Sequence, residues 1–95
     1  MPEANVTLTT PNAAKYAAQL LKHWSHRNPD IAAGPQWTSM TFGGTTYIVE
    51  SRADALVARI TAADDAALNA AKGAFQEHID RFAFREAPAL AWNWR

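Results

Sequence analysis

The sequence predicts an α+β domain, one antiparallel sheet with two helices packed on one of its faces. Three observations carry that expectation. Two stretches place apolar residues at three- and four-residue spacing, the period of an amphipathic helix. Five short runs alternate between apolar and polar residues, the period of a strand. Most of these runs follow one another across turns of a few residues, too short for a parallel crossover. With 95 residues, one core is affordable and a second is not, so residues 1–95 are read as a single domain.

The order expected along the chain is β-α-β-β-β-α-β. Residues 4–9 alternate, with Val6 and Leu8 on one face. Thr10-Pro11 follows as a helix start, because Thr can cap and Pro tolerates the first helical position. A helix to about Arg27 sets Ala14, Ala17, Leu20, Leu21 and Trp24 against a polar face of Lys15, Gln19, Lys22 and His26. Asn28-Pro29 stops it, and NPDIAAGP reads as a loop. Trp37–Phe42 and Thr45–Glu50 form a hairpin about Gly43-Gly44, a two-residue turn signal. SRAD turns the chain into a third strand, Ala55–Ala62. Asp64 caps a second helix whose stripe is Leu68, Ala71, Phe75, Ile79 and Phe82. Arg81 and Arg85 lie toward its C-terminal end, where cations suit the helix dipole. Pro88 ends the run, and Leu90, Trp92 and Trp94 alternate as a short final strand.

Composition excludes several classes of function. Nine basic and nine acidic side chains cancel, so the positive surplus that drives phosphate binding is missing and no nucleic-acid partner is expected. There is no Cys, which removes disulfides, thiolate metal sites and a Cys nucleophile. The opening MPEANVTLTT lacks the charged and apolar regions of a secretory signal. No apolar run approaches the roughly 20 residues of a membrane span. The expected setting is the bacterial cytoplasm, without a membrane partner. The chain offers no Ser-His-Asp order, Gly-rich phosphate loop or paired carboxylates at a recognisable spacing, so no catalytic residue or cofactor is assigned.

Two blocks carry a family resemblance. LLKHWSHR (residues 20–27) and EHIDRFAFRE (residues 77–86), with the Trp-bearing tail, resemble the bacterial family catalogued as domain of unknown function 2218. The likeness covers nearly the whole chain and is most specific in RFAFRE. It implies a fold similar to the C-terminal domain of phosphohexomutases. The family has no established activity. Its domain occurs alone and also joined to siderophore-interacting flavin reductases, so the resemblance implies a link to iron–siderophore metabolism and a flavin-reductase partner.

Four groups of residues are candidates for chemistry. His23, His26 and His78, with Glu77 beside the last, are the residue types of a metal site. Against this, His23 and His26 point about 60° apart around their helix. The plain alternative makes His26 a solvated residue and has His78 hydrogen-bonded to a sheet carbonyl. Arg81 and Arg85, one helical turn apart, have the geometry to clasp a carboxylate or phosphate. In the plain alternative Arg81 pairs with Glu77 or Asp80, and Arg85 with a residue of the sheet. Trp92 joins Arg81, Arg85 and His78 in a candidate ligand-binding set, with Lys15 as an unrelated surface control. Phe84 falls off the apolar stripe: either it is covered, by the Trp92/Trp94 tail, a sheet edge or a second chain, or the helix frays before it. Three readings compete: an accessory module binding a small anionic ligand, a metal-dependent protein or enzyme using His78 and Glu77, and a homodimerisation module.

Overall fold

The structure, a computed structural model, describes residues 2–26, 30–84, 86 and 90–95. The elements run β1 (Glu3–Thr9), α1 (Ala13–Ser25), β2 (Asp30–Ala33), β3 (Trp37–Phe42), β4 (Thr45–Ser51), β5 (Ala55–Thr61) and α2 (Asp65–Phe82). The strands form one antiparallel sheet in the order β1-β5-β4-β3-β2. The α+β class and the two-helix, five-strand composition are as expected. The strands differ from expectation at two places. Asp30–Ala33, expected in a loop, is an edge strand paired with β3. The tail is not a full strand, but Arg95 and Asn5 exchange both backbone hydrogen bonds at 2.8 Å, so it joins the sheet beside β1 through one pair.

Register explains why the helices share one face. Ala4, Ile60, Tyr47 and Met40 lie in one row across β1, β5, β4 and β3. Val6, Ala58 and Val49 form the next row, and Leu8 and Leu56 a third. Because side chains alternate with period two, all of these point to the same side, and all are buried. Onto them α1 lays Ala13, Tyr16, Leu20 and Trp24, and α2 lays Leu68, Ala71, Phe75 and Ile79. Each set is spaced three, four and four residues, one stripe of a 3.6-residue helix. The buried stripe of α1 thus runs through Tyr16, while Ala14 is exposed. The opposite sheet face is solvated and laced by short polar contacts, such as Thr41 to Thr46 at 3.1 Å.

Local chemistry fixes the ends. Gly43 and Gly44 have φ of 50° and 89°, the pair of positive values that a type I′ hairpin turn requires. The Asp64 side chain accepts from the Ala67 N–H at 2.8 Å, as a capping residue should. The start of α1 departs from expectation. Thr10 is buried, and its hydroxyl accepts from the Asn12 N–H at 3.1 Å, closing the turn that carries Pro11. Asn12, not Thr10, occupies the N-cap position, without a side-chain cap. At the other end α2 stops at Phe82, where the Ala83 N–H donates back to the Ile79 carbonyl. Phe84 therefore lies beyond the helix, the second of the two alternatives the sequence left, and its departure from the helical stripe is explained. Arg27 and Pro88, the expected boundary residues, lie outside the described residues.

Candidate ligand-binding site

A cleft of about 380 Å³ opens between the first half of α1 and the end of α2. From α1 it is lined by Asn12, Lys15, Tyr16 and Gln19, again one stripe at helical spacing. From the other side come Arg81, Phe82, Phe84 and Glu86. Glu86 ties the two sides together. Its Oε2 accepts from the Tyr16 hydroxyl at 2.8 Å and from the Asn12 side-chain amide at 2.9 Å. The Tyr16 hydroxyl, then the Thr10 hydroxyl and the Asn12 amide, hold the Glu86 carboxyl below the usual carboxylate range, with burial opposing them. Burial pushes the Tyr16 hydroxyl up, and the adjacent Glu86 carboxylate adds to that. The carboxylate is thus a clamp between two segments 70 residues apart in sequence.

Lys15 has no ion pair among the described residues. Arg81 projects from the opposite wall and is held by Glu77, one turn back on α2, at 2.5 Å. Both members of that pair are mostly solvated, so it contributes little to stability and leaves the guanidinium largely available. The structure therefore puts Lys15, expected to be a bystander, on the same cleft as Arg81. Arg85 lies outside the described residues.

The other expected site residues are scattered. His78 is half-buried, and its Nδ1 meets the Ala74 carbonyl of its own helix at 2.7 Å. The carbonyl it uses is thus not one of the sheet, as expected, because the i to i−4 oxygen is nearer. Its ring stands edge-on to Trp24 at 5.4 Å. His23 lies against Phe82 at 5.3 Å, and His26 is exposed just past the end of α1. No three His, Asp or Glu side chains gather as a metal site among the described residues. Trp92 stacks on Trp94 at 5.8 Å, stands edge-on to Phe75 at 6.0 Å, and donates its indole N–H to Asp80 at 2.9 Å. Trp94 donates to Gln76 at 3.2 Å. The tail tryptophans thus strap α2, and neither is among the residues that line the cleft.

Among the described residues, two buried polar atoms have no hydrogen-bond partner, the Trp24 indole N–H and the Gln19 side-chain oxygen. Trp24 is ringed by Tyr47 at 4.6 Å, His78 at 5.4 Å and Phe42 at 5.6 Å, surroundings made mainly of ring faces and edges.

Residues 4–93 match the profile of a family described as an uncharacterized protein conserved in bacteria, DUF2218. The chain superposes on the NMR structure of PA4090 from Pseudomonas aeruginosa with a TM-score of 0.79 and 24% sequence identity, covering 98% of this chain and 96% of that one. At that identity the likeness speaks for the fold alone. No curated protein matches the sequence.

Proposed function

The chain belongs to the uncharacterised bacterial family DUF2218, and from that premise we propose that it is a non-catalytic accessory module holding a small anionic ligand in the cleft between α1 and the end of α2. The observation that carries the reading is the convergence of two cations from different helices, Lys15 and Arg81, on one cleft with aromatic walls at Phe82 and Phe84. A carboxylate or hydroxamate seated between the cations gains charge-assisted hydrogen bonds. Its apolar part rests on the rings. Glu86, the one carboxylate in the lining, already accepts from Tyr16 and Asn12, which supports a positioning role rather than acid–base work. The joining of this domain to siderophore-interacting flavin reductases elsewhere in the family makes carboxylate- and hydroxamate-bearing iron chelators the first ligands to try.

The test is an amide NMR titration of the ¹⁵N-labelled chain with citrate and with acetohydroxamate, using inorganic phosphate as a comparison anion. Shifts confined to Lys15, Gln19, Arg81 and Phe82 are expected. Arg81→Ala and Lys15→Ala should each weaken binding about threefold to tenfold, the usual worth of one solvated charge contact. Shifts that map elsewhere, or equal binding by both variants and the parent, refute the assignment.

A further inference from the structure

The two edges of the sheet are not alike. Beside β1, Asn5 already exchanges both of its backbone hydrogen bonds with Arg95 of the tail. The other edge is β2, whose four residues Asp30–Ala33 are all exposed. The phase of its hydrogen bonding follows from two observations. The Gly34 N–H donates to the Trp37 carbonyl at 2.9 Å, so Gly34, and with it Ala32 and Asp30, faces β3. The Gly43-Gly44 turn makes Phe42 and Thr45 a hydrogen-bonded pair, so Phe42 and Met40 face β4 and Thr41 and Ser39 face β2, in agreement. The backbone N–H and C=O groups of Ile31 and Ala33 therefore point away from the sheet, toward open solvent.

We infer that this edge pairs with the same edge of a second copy, forming a continuous ten-stranded sheet about a two-fold axis through Ala32. Antiparallel pairing keeps residues on their own face only if the summed numbers of opposed residues are even. Of the registers that satisfy this, those centred on Ile31 and on Ala32 oppose three residues of the described strand and the others only one. The Ala32 register sets Ile31 against the second copy's Ala33, and Ala33 against its Ile31. All four outward-facing donors and acceptors of each copy are then used, giving four backbone hydrogen bonds. The Ile31 register uses only the two Ile31 residues within the described strand. At the axis the Ala32 residues form a non-hydrogen-bonded pair, where side chains come closest and a small residue fits.

Charge does not oppose the register. Asp30 faces Gly34 of the second copy rather than another carboxylate, and the chain has no net charge to repel a copy of itself. Ile31, 45% exposed at the end of the row that contains Met40 and Tyr47, gains cover. The association ends at two copies, because a two-fold contact consumes both β2 edges and the β1 side carries the tail. A strand of four residues is about 13 Å long and buries less than a standard interface. The dimer is therefore a weak one, with a dissociation constant of roughly 0.1–1 mM.

The experiment is sedimentation velocity from about 10 µM to 1 mM, a range that brackets this value, on the parent and on Ala32→Glu and Ala32→Lys, with circular dichroism to confirm folding. Ala32 is exposed, so either charge is tolerated in the monomer. The parent is expected to dimerise, each variant alone to associate at least tenfold more weakly, and an equimolar mixture of the two variants to recover dimer. A parent that stays monomeric throughout, larger assemblies, single variants that dimerise like the parent, or a mixture that fails to recover would each overturn the inference.

Discussion

Replacing Tyr16 with Phe removes one oxygen and nothing else from the core, because the ring keeps its place in the buried stripe of α1. What is lost is the 2.8 Å hydrogen bond to Glu86. A hydrogen bond to a charged group is worth about 1.5–3 kcal/mol when buried. Glu86 is half-buried and retains Asn12 as a donor, so about 1–2 kcal/mol is expected here. For a domain of this size that lowers Tm by roughly 5–10 °C. The pH dependence gives a second reading. The Glu86 carboxyl lies below its ordinary range in the folded state. Its contribution is therefore present above the ordinary carboxylate range and lost as pH falls through the depressed folded value. The Tyr16 hydroxyl is raised, so its contribution is present below the ordinary phenol range and lost as pH rises through the raised folded value. Thermal unfolding of the parent, Tyr16→Phe, Glu86→Gln and the double variant, at neutral pH, in acid and in alkali, checks both. The single losses should not add, and Tyr16→Phe should flatten part of the acid decline. A Tyr16→Phe protein that melts within about 1 °C of the parent, with the same acid profile, refutes the clamp.

Two further outcomes follow from burial. Phe75 is fully buried beneath the tail tryptophans while Phe82 is half-buried, so by urea unfolding Phe75→Ala should cost about 3–5 kcal/mol and Phe82→Ala clearly less. Gly73 sits within α2, and a Cβ there meets open space. Gly73→Ala should accordingly raise stability by about 0.5–1 kcal/mol in the same assay.

Periodicity made the sheet and helix stripes legible, since Val6, Leu8, Leu56 and Ile60, like Phe75 and Ile79, announce their faces by spacing alone. The edge strand at Asp30–Ala33 was not legible. It has four residues, two of them Ala, between Pro29 and Gly34-Pro35, and its strand character comes from pairing with β3 rather than from propensity. The site was half legible. Arg81 could be picked out by charge and position, but its convergence with Lys15 depends on how α1 and α2 pack, which no spacing encodes. Tyr16 carried a usable signal, four residues before Leu20 and eight before Trp24, an amphipathic ring on the buried stripe whose hydroxyl needs a partner. Glu86 offered none, because it acts from beyond the helix end.

The hydrogen bonds between Asn5 and Arg95 bring the first strand and the last residue of the chain into lateral contact. Between Asn5 and Arg95 the chain thus forms an almost closed ring. Joining its ends by a short linker and opening it at the Gly43-Gly44 turn would reorder the elements along the chain while preserving every strand neighbour. Pro2 and Arg95 both lie on the β1 side of the sheet, the side away from the β2 edge.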